Sequence, residues 1–213
     1  MRDQLLILTS VASLFCVTAS AAEWFVSPDG TDADGRGAET EPFRTINYAV
    51  GKASANDTII LLPGDHVEGS TSEGDVGLCR ANVTKTLTIR SKNGRASRDT
   101  TRIVGAYATG SGYSDPFGIG TGAIRGLRFA SEASGSRVEG ITFYRGATAT
   151  DTTNIADGGG GALISGDGTK VGFVDCAFVE CRARRGSCGL AGGWHVHRQF
   201  HQDKERMKLS GCF

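Results

Sequence analysis

The sequence lacks several features that would place it in a common functional class. Its 23 basic and 23 acidic residues cancel, so the composition gives no electrostatic reason to expect nucleic acid or an anionic membrane as a partner. Only 4 of the 213 residues are proline, which excludes collagen-like and proline-rich linker sequences. A chain of this length fits one domain with a sizeable core.

Cysteine is too irregularly spaced to predict a disulfide framework in a chain of this size. Three cysteines and three histidines near the C-terminus raise the alternative of a zinc site: Cys176, Cys181, Cys188, His195, His197 and His201. However, a His-x-His pair is not the usual partner of cysteines at structural zinc. We expect Cys176 and Cys181 to act as small apolar residues that face the core.

The N-terminal segment has the pattern of a secretory leader. An apolar stretch follows Arg2, and Ala19-Ser20-Ala21 gives the small-x-small pattern of a cleavage site. The stretch is too short for a comfortable membrane span; a buried helix is the alternative. We expect residues 1–22 to be a signal peptide, with the mature chain starting near Ala22 or Glu23. The expected location is secreted or cell-surface, with no transmembrane span after removal of the leader.

Glycine, in contrast, is abundant, at 31 of 213 residues, about twice the usual ~7%. Many short apolar runs end in Gly, Asn, Asp or Ser, which is typical of a β protein with tight turns. One helix stands out, predicted over about residues 44–54, because Ile46, Ala49, Val50 and Ala53 recur on one face. We expect it to cap the first coil of a solenoid; a partner-binding helix is the alternative.

Internal repetition indicates that solenoid. Residues recur at an offset of about 35 in these pairs: Leu127 and Leu163, Val138 and Phe173, Ile141 and Cys176, Phe143 and Phe178, Gly146 and Cys181, and Thr148 and Ala183. Fixed-period repetition of short strands is typical of stacked coils. An antiparallel sandwich would need more hairpin signals than Asn93-Gly94 alone. We predict an all-β parallel β-helix over residues 23–193.

Two stretches resemble known β-helix families. Pro42-Phe43-Arg44-Thr45-Ile46, followed by a strand closed by Pro63-Gly64, resembles the N-terminal segment of pectate-lyase-like right-handed parallel β-helix proteins. Gly160-Gly161-Ala162-Leu163 with Phe173 to Phe178 resembles repeats of polymorphic outer-membrane proteins and related adhesins. Cys181 stands where those repeats usually carry asparagine. The resemblance implies a right-handed parallel β-helix and leaves the activity open.

No residue matches a lyase motif well enough to take a catalytic or cofactor-binding role. The charged residues near strands are Arg125, Arg128, Arg137, Glu139 and Arg145. We interpret them as parts of a solvated outer face.

Three acidic residues are candidate calcium ligands. Asp29, Asp32 and Asp34 alternate with Gly30 and Gly35 and supply oxygen donors, although the spacing is not that of an EF-hand loop. Ordinary Asp-Gly turns are the alternative explanation of this segment.

The repeat rhythm stops near the C-terminus, so residues 194–213 are expected to be an irregular tail. Our hypothesis is a truncated chain that lacks later coils and associates with itself through the open end. A basic tail that binds an acidic partner is the alternative.

Two functions remain open. The first is non-catalytic binding of extracellular polysaccharide or cell-surface glycan, or adhesion through it. The second is a fragment of a pectate-lyase-like polysaccharide lyase or glycoside hydrolase whose active-site coils are missing. Paired carboxylates with an arginine or lysine on one strand face would distinguish the second.

Overall fold

The computed structural model describes residues 20–72, 77–109, 118–148, 159–166 and 168–183, and the backbone alone of 190–191. Most of the predicted leader and the whole predicted tail, 194–213, lie outside these residues. The described part contains short strands, one α-helix and two short 3-10 turns, Gly94–Ser97 and Ser131–Ala133. The helix is α1 (Ile46–Lys52), and the strands are β1 (Glu23–Val26), β2 (Thr58–Leu61), β3 (Gly64–His66), β4 (Thr71–Ser72), β5 (Leu78–Val83), β6 (Thr88–Ser91), β7 (Thr101–Val104), β8 (Ile124–Phe129), β9 (Ser136–Glu139), β10 (Thr142–Tyr144), β11 (Ala162–Ile164), β12 (Val171–Val174), β13 (Ala177–Val179) and β14 (Leu190–Ala191).

The strands form three sheets. Sheet 1 has the order β1-β2-β6-β9-β12, sheet 2 the order β13-β10-β7-β3, and sheet 3 the order β14-β11-β8-β5-β4. Every described strand pair is parallel except β4 with β5. From β2 onward the chain visits sheets 1, 2 and 3 in that fixed order four times. The prediction of a mostly parallel β fold is therefore confirmed.

Buried side chains from successive strands stand in rows. In sheet 1, Ile59, Ile89, Val138 and Phe173 are register partners along β2, β6, β9 and β12, and each is at most 3% exposed. Side chains alternate between the two faces of a strand, so every second residue of these short strands enters the core. Parallel pairing then places equivalent residues of successive repeats over one another.

Of the six predicted repeat pairs, two are confirmed as register partners, one is wrong, and the other three stay predictions. Val138 pairs with Phe173, and Phe143 pairs with Phe178. Leu127, however, pairs with Ala162, while Leu163 pairs with Arg128. The predicted match of Leu127 with Leu163 is wrong because a shift by one residue moves a side chain to the other face of the strand. The apolar character of Leu163 does not reveal the correct register, because Leu163 is buried, at 2% exposure, although it is not the partner of Leu127.

Helix α1 is shorter than predicted but uses the expected face. Ile46, Ala49 and Val50 are buried, and Ala53, directly after the helix, is also in the main core. The helix ends at Lys52 because Ala53 turns to an extended conformation while its N–H still bonds to the carbonyl of Ala49. Helix α1 contacts β1, β2 and β5, which are early strands of sheets 1 and 3.

Candidate ligand-binding face on sheet 2

The five charged residues noted in the sequence do not form a single cluster. Arg137 and Glu139 are on β9 of sheet 1 and pair with each other, with 3.3 Å between Nε and Oε2. Arg145 follows β10 of sheet 2 and pairs with Glu180, with 3.0 Å between Nε and Oε2. These two pairs are solvent-accessible, as expected for an outer face.

The arginines of sheet 3 are different. Arg125 is only 1% exposed and Arg80 only 8%, while Arg128 donates to the Oδ1 atom of Asn82 at 2.9 Å. Arg80 donates to two backbone carbonyl oxygens, at 2.6 and 2.8 Å. The interpretation of Arg125 as a solvated residue is therefore wrong. Strand position alone cannot reveal whether the rest of the chain buries an arginine.

Asp32, a predicted calcium candidate, supports the start of α1. Its Oδ1 atom accepts hydrogen bonds from the backbone N–H groups of Arg44 and Thr45, at 2.8 and 3.0 Å. Its Oδ2 atom accepts from the hydroxyl of Thr45 at 2.7 Å. That hydroxyl in turn accepts from the N–H of Tyr48, so Thr45 is the N-cap of the helix.

The other two candidates lie in the same loop. Asp34 accepts from the hydroxyl of Tyr48 and the ammonium of Lys52, and the Lys52 hydrogen bond lowers the pKa of Asp34. The backbone N–H of Asp29 donates to the hydroxyl of Ser27 at 3.3 Å. Among the residues that the structure describes, no group of three His, Cys, Asp or Glu side chains is arranged to hold a metal ion. Calcium binding at these residues stays a prediction.

Two of the cysteines considered for zinc face the core. Cys181 is buried, and Cys176 packs against the main core. Burial raises the pKa of the Cys176 thiol to about 11 and that of Cys181 to about 12, which keeps both protonated at neutral pH. The expectation of inward, apolar behaviour is confirmed; Cys188 and the three histidines lie outside the described residues.

The outer side of sheet 2 carries an apolar and aromatic row. Val104, Tyr144 and Val179 are register partners on β7, β10 and β13, and Val67 follows β3 in the same alternation. Val67 and Val179, at 43% and 39% exposure, are the exposed large hydrophobic residues of the described chain. Both belong to the outer side of sheet 2, which therefore has an exposed apolar component.

Arginines flank this row. Arg102 on β7 binds Asp65 with two hydrogen bonds of 2.5 Å, from Nε and from a terminal nitrogen. Its guanidinium carbon lies 5.2 Å from the ring centre of Tyr144, and that of Arg145 lies 5.4 Å from the same ring. The hydrogen bond with Asp65 raises the pKa of Arg102, so this side chain keeps its charge at any physiological pH.

A second tyrosine extends the surface. The ring of Tyr107 lies 4.0 Å from the guanidinium carbon of Arg182 and 5.4 Å from that of Arg145. Its hydroxyl donates to the carbonyl oxygen of Glu180 at 2.7 Å, and Tyr144 donates to the carboxylate of Glu180 at 3.4 Å. We call these six residues the tyrosine–arginine face: Arg102, Tyr107, Tyr144, Arg145, Glu180 and Arg182.

Two members of the face have an unusual backbone. Arg145 and Glu180 occupy the same turn position one repeat apart, with φ angles of 56° and 53°. Residues other than glycine, asparagine and aspartate rarely adopt this left-handed conformation, which costs free energy. The turn aims a guanidinium and a carboxylate side by side at the solvent edge of sheet 2.

The face offers contacts that suit a polar, ring-containing ligand. Tyrosine rings offer apolar contact, while the guanidinium and carboxylate groups offer fixed donors and acceptors. Of these six residues, only Arg145 is a candidate from the sequence alone. The alternation of Arg102 with buried Ile103, and of Tyr144 with buried Phe143, is the sequence signal that would have found Arg102 and Tyr144.

Comparisons with known proteins identify no relative: no family model, no curated protein and no solved structure matches this chain. No helix in the described ranges is long and apolar enough to cross a membrane.

Proposed function

We propose that this protein is an exported right-handed parallel β-helix that binds extracellular or cell-surface polysaccharide through the tyrosine–arginine face. The fixed order of visits to three parallel sheets supports the helical path, and parallel crossover connections are nearly always right-handed. The short amphipathic helix beside the first strands serves as the lid of the coil stack. The pectate-lyase-like resemblance of the N-terminal segment agrees with this proposal.

The row of side chains on the outer side of sheet 2 is the observation that supports polysaccharide binding. Neighbouring strands are about 4.8 Å apart, which is close to the length of one sugar unit in an extended polysaccharide. A chain lying across the strands would meet Val104, Tyr144 and Val179 in turn. Each sugar would then find an apolar contact in the row and hydrogen-bonding groups at its sides.

The charges favour a carboxylated polysaccharide. The guanidinium groups of Arg102 and Arg145 pair with Asp65 and Glu180 but have side chains that are 39% and 51% exposed, so they can also offer donors to a ligand. Arginine presents a planar set of donors that matches a carboxylate well. We therefore expect a uronate-containing chain to bind more tightly than a neutral one, with binding weakened by salt.

The experiment is a binding titration of the mature chain with polygalacturonate and with a neutral glucan. Tyr144→Ala and Arg145→Ala should each weaken polygalacturonate binding by about tenfold, as lost stacking and ionic contacts of about 1–2 kcal/mol predict. Arg137→Ala is the matched control, because Arg137 and Arg145 each show 51% exposure and each pair with a glutamate. Equal losses for Arg137→Ala and Arg145→Ala would contradict the proposal.

An absorbance assay with the same polysaccharide tests the alternative that the chain is a lyase. Polygalacturonate incubated with calcium gains ultraviolet absorbance when a lyase forms unsaturated products. We expect no such gain from this chain; steady turnover would replace the binding proposal with a lyase.

A further inference from the structure

The carboxylate of Asp57 joins three separate parts of the N-terminal region. Its Oδ1 atom accepts from the backbone nitrogen of Ala22 at 2.8 Å. Its Oδ2 atom accepts from the indole of Trp24 at 2.9 Å and from the backbone of Ser54 at 2.8 Å. Asp57 is only 6% exposed, so it fixes the start of β1 to the end of the helix segment and the start of β2.

The described hydrogen-bond donors to this carboxylate are all neutral groups. Burial alone would raise the pKa of Asp57, but the hydrogen bonds from Trp24, Ser54 and Ala22, together with the charge of Lys85, outweigh it and lower the pKa. The ammonium of Lys85 is directed elsewhere, to the carbonyl oxygens of Val50 and Ala53. A nearly buried carboxylate whose direct hydrogen-bond donors are all neutral is a costly arrangement that a directly bonded cation would improve.

Cleavage of the chain before Ala22 would create a cation, the α-ammonium group, at this position. Ala19-Ser20-Ala21 has the small-x-small pattern, and Ser20 and Ala21 are exposed while Ala22 is partly buried. The carbonyl oxygen of Ala22 accepts from the N–H of Thr58 at 2.8 Å, so Ala22 is held on both sides of its Cα atom.

We propose that a signal peptidase hydrolyses the bond between Ala21 and Ala22, and that the new α-ammonium of Ala22 forms a partly buried ion pair with Asp57. Water supplies the atoms: Ala21 leaves with a new carboxylate, and the nitrogen of Ala22 becomes an amine that is protonated at neutral pH. The position already lies 2.8 Å from Oδ1. Removal of the leader thus strengthens the folded state, and cleavage one residue later would delete this contact.

The inference rests on the export half of the proposed function and is independent of polysaccharide binding. The first test is secretion of the full 213-residue chain, followed by N-terminal sequencing of the exported product. The expected first residue is Ala22. A product that starts at any other residue, or export without cleavage, would overturn the proposal.

The second test separates the charge from the hydrogen bond. Chains that begin at Ala22 and at Ala21 contain the same N–H position, but the second moves the ammonium one residue outward. We expect the Ala22 chain to have an about tenfold larger folding equilibrium constant in urea titrations, because charged hydrogen bonds are stronger than neutral ones. The stability difference between the two chains should shrink as the pH rises above the ordinary α-amino pKa of about 8, because the ammonium then loses its charge.

Asp57→Asn completes a double-mutant cycle with these two starting points. The difference between the Ala22 and Ala21 chains should disappear in the variant, because asparagine keeps an acceptor but carries no charge. Equal stability of the two chains with Asp57 intact would overturn the ion pair even if Asp57→Asn failed to fold. A chain that starts at Ala22 but does not bind polygalacturonate would sink the proposed ligand and leave this inference standing.

Discussion

The two sides of sheet 2 are built from the same strands and have opposite characters. On the inner side, Ile103, Phe143 and Phe178 are register partners, and the rings of Phe143 and Phe178 stack at 4.8 Å. On the outer side, Tyr144 contacts arginines and reaches solvent. The comparison shows that adjacent residues of one strand have different roles: one packs the repeats together, and the next lies on the outer surface.

The largest effect should come from the inner side. Phe143→Ala removes a fully buried ring that contacts Phe173 and Phe178, and should lower the free energy of unfolding by about 3–5 kcal/mol. Urea denaturation followed by tryptophan fluorescence would measure it. Phe143→Leu, which keeps most of the volume, should cost less. A loss below about 1 kcal/mol for the alanine variant would show that the inner row is not packed as described.

The segment that follows β10 is sensitive to a single added methyl group. A Cβ atom at Gly146 would lie 2.0 Å from the carbonyl oxygen of Gly160, so Gly146→Ala should cost about 1–3 kcal/mol. Gly51→Ala is the control, because a Cβ atom there meets nothing within 4 Å and the site is helical. That variant should be stabilised by about 0.5–1 kcal/mol. Thermal unfolding would measure both effects. A stabilised Gly146→Ala variant together with a destabilised Gly51→Ala variant would contradict this packing.

The inner row also contains a titratable group, His66. It is 3% exposed, its Nε2 atom lies 3.0 Å from the carbonyl oxygen of Leu62, and burial lowers its pKa from the usual 6.5. The unfolded chain therefore binds a proton more readily, so stability is complete above about pH 6.5 and falls as the pH decreases. The slope should approach about 1.4 kcal/mol per pH unit. Urea midpoints between pH 5 and 7.5 would measure this slope.

The variant His66→Leu sharpens the same test. It should remove most of the pH dependence in that range, whatever it does to stability at pH 7.5. An unchanged slope would mean that another group titrates.

The smallest stability effect is expected on the outer side. Arg145→Ala removes an exposed ion pair with Glu180, which should change the free energy of unfolding by less than about 1 kcal/mol. The same variant should weaken polygalacturonate binding, so stability and binding separate on this face. A loss of several kcal/mol in thermal unfolding would show that Arg145 is structural.

The sequence predicts the fold well where periodicity is strong. The strand over Thr101 to Val104 and the pairs Val138–Phe173 and Phe143–Phe178 are as expected. The pair of Leu127 with Leu163 failed because composition cannot distinguish the two faces of a strand that is buried on both.

The candidate face was harder to predict. Tyr107 and Tyr144 are far apart in the chain, and only the parallel register brings Glu180 against both. The burial of Arg125 depends on long-range packing that local alternation does not encode. The hydrogen bond between Ala22 and Asp57 could not be predicted from local sequence, because the two residues are 35 positions apart.

Tyrosine modification with and without polygalacturonate is the most direct test of the central claim. The described residues contain Tyr48, Tyr107 and Tyr144, all partly exposed, and Tyr48 lies on α1, away from sheet 2. Nitration followed by mass spectrometry should show that the polysaccharide protects Tyr107 and Tyr144 while Tyr48 reacts as before. Equal protection of all three tyrosines, or none, would contradict the assignment of the outer side of sheet 2 as the binding surface.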